Sequence, residues 1–309
     1  MKPAKVSILI PNYNYGHYLS EAIQSALDQT FEDFELIVVD NDSSDNSEEI
    51  VNTFIDKDPR VKFHKNDSNI GMFRNYNQSL LLAKGEYIKF LNADDKFAPT
   101  LLEKFVKVLD SNPEIALVTS HRQAFGDKTD IIKGPFTQTV KSETAILQAL
   151  HKGNWIGEPT TVMFRRDNLT LGLFDISLLM IADMDLWLRQ LQVGNLYVVD
   201  EILSYFRVHD NQGTAQLTEN HEKMSFIAIQ ESCYRTNSLL NNRYSYNFHE
   251  THHEDVRKII EKSLHRNRKA HRYLFLTNKN KLKLKHLFHG TNFYYFTKYF
   301  FQKLIGKLK

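Results

Sequence analysis

Residues 34–45 have the sequence FELIVVDNDSSD, in which an apolar run is followed directly by a polar, acidic turn. Phe34 to Val39 predicts a buried β-strand, and the turn that starts at Asp40 can cap a helix from Glu48 to Phe54. In open α/β sheets, ligands bind at the edge where such strands end. This stretch therefore predicts an α/β fold with a binding edge beside Asp40.

The same alternation of apolar strands and amphipathic helices continues on both sides of this stretch. Strands are predicted at 6–10, 61–64, 87–91 and 115–119, and helices at 18–27, 74–83 and 99–109. Such alternation favours a doubly wound, mostly parallel sheet. The pattern is less regular from 121 to 214, with helices predicted at 142–150 and 181–192 and strands at 161–164, 196–200 and 202–206. After about Gly213 it is mostly helical.

The composition is that of an ordinary globular protein. Hydrophobic residues make up 42% of the 309 residues and charged residues 25%, which excludes a disordered or collagen-like chain. Cys233 is the one cysteine, so we expect no disulfide framework and a reducing, cytoplasmic compartment. The sequence shows neither a secretory signal nor an apolar run of about 18 residues, so we expect no transmembrane helix.

Charge is distributed unevenly along the chain. The net charge is +2, yet residues 262–309 contain 13 Lys and Arg and no Asp or Glu, which leaves 26 basic and 37 acidic residues in the first 261. A basic tail on an acidic body suggests contact with an anionic surface, either a membrane or a nucleic acid. We predict one domain at 1–214 and a helical, basic C-terminal region at 215–309.

Asn92-Ala93-Asp94-Asp95 follows the strand predicted at 87–91. Two adjacent carboxylates repel each other in a low-dielectric site, and a divalent cation would relieve that repulsion. Mg²⁺ and Mn²⁺ prefer oxygen ligands and also bind phosphate oxygens. The alternative is that Asp95 caps the helix that follows.

The turn from Asp40 to Asp45 lies where doubly wound folds bind a nucleoside. The alternative is that it only caps the next helix. No glycine-rich phosphate loop of the dinucleotide-binding or P-loop type is present. The sequence therefore argues against a dinucleotide-dependent oxidoreductase and against a P-loop NTPase. A carboxylate-held metal is another way to neutralise a diphosphate.

Two further motifs carry charged residues at predicted helix starts. Arg74 follows a turn at 69–71 and could reach a base carbonyl or a phosphate, or it could be an ordinary surface arginine. Asp185 and Arg189 have the i, i+4 spacing of an ion pair. That pairing would leave Asp183 either as a general base facing a pocket or as a helix cap.

Taken in order, these motifs resemble those of the family-2 glycosyltransferases, which have the GT-A fold. The segments that carry the resemblance are VSILIPNYN at 6–14, AIQSALDQTF at 22–31, ELIVVDNDSSD at 35–45, NIG with the Arg-Asn pair at 69–75, FLNADD at 90–95, ADMDLWLR at 182–189 and YFRVH at 205–209. The sequence departs from the family pattern at three points. Asn41-Asp42 stands for Asp-Gly, Asn92 for the first Asp of the metal motif, and Ala182 for a Glu.

The resemblance implies roles for the residues of these motifs. On the donor side, a uracil-type base would lie along Pro11 and Tyr13, bonded by Asp40 or Asn41, with Arg74 nearby. Asp94 would contact the ribose or metal-bound water, Asp95 would ligate Mn²⁺ or Mg²⁺, and His209 would contact the metal or phosphate. Asp183 would be the catalytic base, and Trp155 and Glu158 would lie on the acceptor side. The nucleotide-sugar half of the catalytic domain would then run to about residue 120 and the acceptor half from 121 to 214.

The function implied is that of a metal-dependent, inverting glycosyltransferase of cell-surface polysaccharide synthesis. It would move a sugar from a nucleotide diphosphate sugar, a UDP-sugar, to a hydroxyl of a saccharide or lipid-linked saccharide. A nucleotidyltransferase is one alternative, but it would be expected to have a Gly- and Lys/Arg-rich phosphate loop after the first strand. A non-catalytic sugar- or nucleotide-binding homologue is the other, and the presence of Asp95 and Asp183 argues against it.

The C-terminal tail combines lysines with aromatic residues. Helical spacing places Phe293, Phe296, Phe300 and Leu304 on one side, with Lys298 off it. Basic residues attract anionic headgroups and aromatic rings settle at the membrane interface. We therefore expect peripheral attachment to the inner face of the plasma membrane. The alternatives are that the tail packs on the catalytic domain or forms a homodimer; no nucleic acid partner is expected.

Overall fold

The structure, a computed structural model, describes residues 3–178, 180–210, 212, 221–240, 243–244, 254–263 and 265–266. These residues form two compact units. The first runs to residue 212 and includes Tyr244, and the second contains the other described residues. The predicted boundary after residue 214 and the basic aromatic tail lie outside the described residues.

The first unit consists of a sheet with helices packed against it. Its strands are β1 (Val6–Asn12), β2 (Phe34–Asp40), β3 (Val61–Lys65), β4 (Tyr87–Phe90), β5 (Lys96–Phe97), β6 (Ile115–Gly126), β7 (Asp130–Ile132), β8 (Gln138–Val140), β9 (Met163–Arg165) and β10 (Asn195–Val208). Its helices are α1 (Gly16–Leu27), α2 (Ser47–Ile55), α3 (Met72–Leu82), α4 (Leu101–Ser111), α5 (Ser142–Lys152) and α6 (Ala182–Gln190), with 3₁₀ helices at Pro159–Thr161 and Arg166–Leu171.

The sheet order is β3-β2-β1-β4-β9-β6-β10-β5, with β7 beside β6 and β8 beside β10. The pairs β1–β2, β1–β4, β2–β3 and β6–β10 are parallel. Parallel neighbours need crossover connections, which α1 and α2 supply for the first three strands. The predicted α/β fold with a doubly wound, mostly parallel sheet is confirmed. The short strand β9 is antiparallel to both β4 and β6.

The second half of the sheet differs from the sequence prediction in its strand lengths. β6 continues to Gly126, well beyond the predicted end at residue 119. Its continuation contains His121 and Arg122, which are buried because they pair with Asp200 and Glu158. The two strands predicted at 196–200 and 202–206 are one strand, β10, with register shifts between Val199 and Ser204.

One buried polar side chain connects helices α1 and α4 near the Asp94-Asp95 turn. Gln29 is buried at the end of the AIQSALDQTF segment. Its amide donates to the carbonyl of Ala98 at 2.8 Å, and its oxygen accepts from the backbone of Leu102 at 3.0 Å. Gln29 therefore connects the end of α1 to the start of α4. The chain that leaves the Asp94-Asp95 turn leads directly into α4.

The second unit contains α7 (His221–Leu240) and a helical stretch at 254–263. This agrees with the helical pattern after Gly213. None of the helices among the described residues combines the length and apolar character needed to cross a bilayer.

Candidate active site

The acidic turn after β2 is held together by its own carboxylates. Asp40 is buried, and its two oxygens accept from the Asn12 amide at 2.7 Å and from the hydroxyl and backbone N–H of Ser43 at 2.6 and 2.8 Å. Asp45 accepts from the backbone N–H groups of Ser47 at 3.1 Å and Gly16 at 2.8 Å. Asp45 thus binds the first residues of α2 and α1, whereas the residue that precedes α2 is Asn46, whose side chain makes no capping bond.

A network of asparagines surrounds Asn41, which is also buried. The Asn41 amide donates to the Asn69 side chain at 2.8 Å, while its oxygen accepts from Asn66 at 3.1 Å and from the backbone of Ile70 at 3.0 Å. The side chains of Asp40 and Asn41 therefore both have partners inside the protein. They shape the turn, and the base contact expected of one of them stays a prediction.

Asn75 brings the start of α3 to the ends of the first two strands. It is buried, and its amide donates to the carbonyls of Val39 at 2.9 Å and Asn12 at 3.4 Å. Its neighbour Arg74 is exposed. Pro11 is half-buried at the end of β1, and Tyr13 keeps 44% of its surface exposed. Pro11, Tyr13 and Arg74 thus lie at one edge, here named the β1–α3 edge.

The second acidic turn contains Asp94 and Asp95, here named the acidic pair. Asp95 is only 1% exposed. One of its oxygens accepts from the backbone N–H of Arg207 at 2.9 Å, and the other from the Thr160 hydroxyl at 2.6 Å and the Asn92 amide at 3.1 Å. Because α4 begins only at Leu101, Asp95 does not cap that helix.

Asp94 faces His209, and the two side chains are 14% and 8% exposed. The Nε2 atom of His209 lies 3.1 Å from a carboxylate oxygen of Asp94. The rings of Tyr15 and Tyr18 lie 5.7 and 5.0 Å from the His209 ring. This arrangement presents one carboxylate and one imidazole in a pocket wall of aromatic rings.

The acidic pair is electrostatically unfavourable as it stands. Burial raises the pKa of Asp94, an effect opposed by its bond to His209. Burial and the neighbouring charge of Asp94 raise the pKa of Asp95. A cation would lower both values. Among the described residues no three His, Cys, Asp or Glu side chains converge on one point, so a metal here would take further ligands from substrate or water.

Arg207 connects the last strand of the sheet to this turn. Its Nε donates to the backbone carbonyl of Asp94 at 2.8 Å, and its guanidinium also pairs with Glu21 on α1. The same guanidinium lies over the rings of Tyr18 and Phe125, with centroid distances of 4.5 and 4.3 Å. Arg207 therefore fixes β10, α1 and the acidic pair relative to one another.

The amide at position 92 explains one departure from the family pattern. The Tyr76 hydroxyl donates to the Asn92 oxygen at 2.7 Å, and the Asn92 amide in turn donates to Asp95. An aspartate there would face the Asp95 carboxylate without that donor. Burial raises the pKa of Tyr76, and the charges of Asp94, Asp95 and Asp183 raise it further. Tyr76 thus lies within electrostatic range of both the acidic pair and Asp183.

Asp183 lies in the first turn of α6. The residue preceding that helix is Ile181, so Asp183 is not the cap. One Asp183 oxygen accepts from the Met184 backbone at 2.7 Å and the other from the Asn154 amide at 2.8 Å. Burial, followed by the negative charge of Glu158, raises the pKa of Asp183 to about 7. A carboxyl group with that pKa can accept a proton near neutral pH.

The predicted pair of Asp185 and Arg189 is confirmed, with an N–O distance of 2.9 Å and an Asp185 side chain that is 1% exposed. Arg189 also donates to the carbonyls of Leu171, Gly172 and Leu173 at 2.7–2.8 Å. This pair therefore anchors the chain before α6 and leaves Asp183 as the carboxylate without a cationic partner among the described residues.

The two predicted acceptor-side residues have different surroundings. Trp155 is half-buried; its Nε1 donates to the Ala145 carbonyl at 3.3 Å, and its ring contacts Phe136 with centroids 5.3 Å apart. Glu158 pairs with the buried Arg122 at 2.6 Å and keeps 30% of its side chain exposed. Trp155 thus packs between α5 and the β7–β8 loop, whereas Glu158 lies near Asp183.

Several residues that build the site were not singled out from the sequence: Asn75, Tyr76, Asn154, Thr160 and Arg207. Asn75 and Arg207 lie inside segments that carry the resemblance, and Asn154 directly precedes Trp155, which was predicted for the acceptor side. Their roles depend on contacts with distant segments, which a single sequence does not reveal.

Comparison with known proteins identifies the family of this chain. Residues 7–171 match the family model described as glycosyl transferase family 2. The chain is 30% identical to an uncharacterised glycosyltransferase of Nostoc over 76% of each chain. It is 32% identical to another from Rickettsia typhi, over 68% of this chain and 65% of the relative. An uncharacterised protein of Mycobacterium tuberculosis is 32% identical, and the chain spans 63% of its length.

Solved structures share the fold. The crystal structure of S. aureus TarS in complex with UDP-GlcNAc superposes with a TM-score of 0.66, at 20% identity, over 91% of this chain and 77% of that one. A mannosyltransferase of Pyrobaculum calidifontis, in complex with GDP-Man and Mn²⁺, gives 0.54 at 17% identity over 75% and 64%. The family match and the GT-A fold agree, and the chain belongs to glycosyltransferase family 2 and is a glycosyltransferase.

Proposed function

We propose that this chain transfers a sugar from a UDP-sugar to a hydroxyl of a saccharide or lipid-linked saccharide acceptor, with inversion at the anomeric carbon. The observation that carries the proposal is the state of Asp183. Its carboxylate is held by two donors, has no cationic partner among the described residues, and has a pKa raised to about 7. The buried Tyr76 interacts electrostatically both with Asp183 and with the acidic pair, a second carboxylate site suited to a diphosphate-bound cation.

The donor base would lie at the β1–α3 edge. Tyr13 offers an exposed ring for stacking on a nucleobase, and Arg74 carries an exposed guanidinium at the start of α3, where it can bind a base carbonyl or phosphate. Asp40 and Asn41 would act through the backbone of the turn that they hold. A bound UDP in a TarS structure supports a uridine donor.

Mn²⁺ or Mg²⁺ would be held by Asp94 and His209. We favour this pair over Asp95 because three donors already occupy the Asp95 oxygens, whereas Asp94 is partly exposed and adjacent to an imidazole. Imidazole and carboxylate groups both suit Mn²⁺. When bound, the cation would neutralise charge on the diphosphate leaving group. The Mn²⁺ in the related mannosyltransferase structure supports this choice.

Asp183 would remove the proton from the acceptor hydroxyl as that oxygen attacks the anomeric carbon. The new bond forms on the face opposite the departing diphosphate, so a single displacement inverts the configuration. A general base of this kind contributes about 10²–10⁴ in rate. The nearby Glu158 would face the acceptor.

The basic aromatic tail lies outside the described residues, and its role stays a proposal. We infer that it holds the enzyme at the inner face of the plasma membrane, near a lipid-linked acceptor of cell-surface polysaccharide synthesis. Basic and aromatic residues together favour an anionic interface. Packing on the catalytic domain, or a homodimer, is the alternative.

A donor panel tests the proposed function. UDP-, GDP- and dTDP-sugars are compared by thermal shift in the presence of Mn²⁺, and UDP release is then measured with saccharide acceptors. A shift specific to UDP-sugars, with UDP release by wild type and none by Asp183→Asn, is expected. Donor binding without turnover for every acceptor would favour the non-catalytic alternative, and a preference for GDP-sugars would overturn the uridine assignment.

A further inference from the structure

The segment between α5 and the 3₁₀ helix Pro159–Thr161 surrounds the carboxylate of Asp183. We propose that Asn154 in this segment acts on the reaction through Asp183, as a positioning residue that holds the carboxylate. This inference rests on the proposed function, in which Asp183 is the general base.

Asn154 is bonded to its own loop and to the base at the same time. Its amide donates to Asp183 at 2.8 Å and to the Gly157 carbonyl at 3.1 Å, while its oxygen accepts from the Gly157 N–H at 3.3 Å. Gly157 also accepts from the indole N–H of Trp187 on α6 at 3.0 Å. The loop is therefore closed on itself and attached to the helix that carries Asp183.

Gly157 is needed for this closed loop. Its φ is +128°, and a Cβ built there would lie 2.8 Å from the Cβ of Thr161. Only glycine adopts such a φ readily. The loop can thus bring Asn154 to Asp183 because residue 157 has no side chain.

The two bonds to Asp183 fix the orientation of its carboxylate. One oxygen is held by the Met184 N–H and the other by Asn154. Each carboxylate oxygen has a further lone pair, and these remain in fixed directions for an acceptor hydroxyl. Because proton transfer depends strongly on such geometry, loss of Asn154 should lower kcat more than it changes donor binding.

Asn154 and Glu158 act on the charge of Asp183 in opposite directions. The Asn154 hydrogen bond lowers the pKa of Asp183, whereas the charge of Glu158 raises it. Glu158 is itself paired with Arg122. Tyr76 on α3 also interacts with Asp183; on α6, Asp185 is paired with Arg189.

The test measures the titration of Asp183 without any substrate. Urea unfolding is followed from pH 5 to 9 for each protein with and without Asp183→Asn. The resulting difference in unfolding free energy changes with pH below the native pKa of Asp183 and levels off above it, and the pH at which its slope has fallen to half, here named the midpoint, reports that pKa. The wild-type midpoint is expected near pH 7. Asn154→Ala should move it up by about one pH unit, since a hydrogen bond to a charged group is lost. Glu158→Gln should move it down.

Trp187→Phe is the matched control, because it removes the indole bond to Gly157 and leaves Asn154 and Asp183 intact. It is expected to lower the Tm without moving the midpoint. The UDP-induced thermal shift reports whether Asn154→Ala is folded. If it is not, Asn154→Asp takes its place, because this variant keeps the side-chain shape and loses the amide donor. It should move the midpoint further up.

An unmoved midpoint in both Asn154 variants, or equal movement in Trp187→Phe, would overturn the role of Asn154. A midpoint that moves in Glu158→Gln but in neither Asn154 variant would likewise overturn it. These outcomes are separate from failure of the proposed function, which would appear as sugar transfer by Asp183→Asn itself.

Discussion

The stability of the Asp183→Asn variant, relative to that of wild type, should increase as the pH rises from acidic to alkaline. The pKa of this carboxyl group is raised from 3.8 to about 7 in the folded protein. Between these values the folded state keeps a proton that the unfolded state releases. Stability therefore falls as pH rises through this window, and the loss is complete above about pH 7. An amide at this position does not titrate, so the free energy of unfolding of the variant does not fall for this reason.

The size of the effect follows from the shift. Each pKa unit corresponds to about 1.4 kcal/mol, so the full penalty of ionising Asp183 is about 4 kcal/mol, and about 3 kcal/mol of it develops between pH 5 and pH 8. The Asn side chain has one acceptor oxygen fewer than Asp. Its NH2 group therefore faces a donor, either the Asn154 amide or the Met184 N–H. That cost, about 1–3 kcal/mol, is independent of pH and does not alter the slope.

Urea unfolding of wild type and Asp183→Asn at half-unit steps from pH 5 to pH 9 provides the measurement. All other ionisable groups are common to the two proteins, so the difference between them isolates Asp183. We expect the free energy of unfolding of the variant to gain about 3 kcal/mol on that of wild type across this range. A difference that does not change with pH would refute the raised pKa and the burial that causes it.

Four further predictions follow from the same geometry. First, kcat/KM should rise with pH to a plateau, with a midpoint near 7 set by Asp183; a midpoint near that of a solvated aspartate, about 4, in a UDP-release assay would contradict this. Second, EDTA should abolish turnover. Asp94→Asn should abolish Mn²⁺ binding measured by calorimetry, whereas Asp95→Asn should mainly lower the Tm. Loss of Mn²⁺ binding in Asp95→Asn alone would reverse this assignment. Third, Arg207→Met should cost about 2 kcal/mol or more in urea unfolding, because it leaves the Asp94 carbonyl without its donor and Glu21 with Lys96 as its remaining partner; an unchanged urea midpoint would show that the link is dispensable. Fourth, full-length protein should float with anionic vesicles at low salt and a chain truncated before Lys279 should not; if both stay in solution, the tail does not bind membranes.

The first half of the fold could be predicted because its strands are short apolar runs. Residues 6–10 and 34–39 are buried on both faces of a parallel sheet, so every position except Ser7 and Glu35 carries the apolar signal. The second half could not be predicted as well. His121 and Arg122 are polar yet buried in β6, and their burial depends on Asp200 and Glu158, which lie 79 and 36 residues further along the chain.

The site residues show the same division. The acidic pair and Asp183 could be found because carboxylates at strand and helix ends are visible in a sequence. The sequence did not show that Asp95 would be enclosed by Thr160, Asn92 and Arg207. It also did not show that Asn41 would be bonded on both sides by other asparagines. These outcomes depend on three-dimensional contacts between segments far apart in the chain.

The most direct test of the proposed reaction is the anomeric configuration of its first product. The UDP-sugar that gives turnover in the donor panel is followed by proton NMR as its sugar passes to an acceptor or to water. An α-linked donor should give the β-anomer first, at a rate that Asp183→Asn lowers by about 10²–10⁴. Initial formation of the α-anomer, or an undiminished rate in the variant, would contradict a single displacement assisted by Asp183.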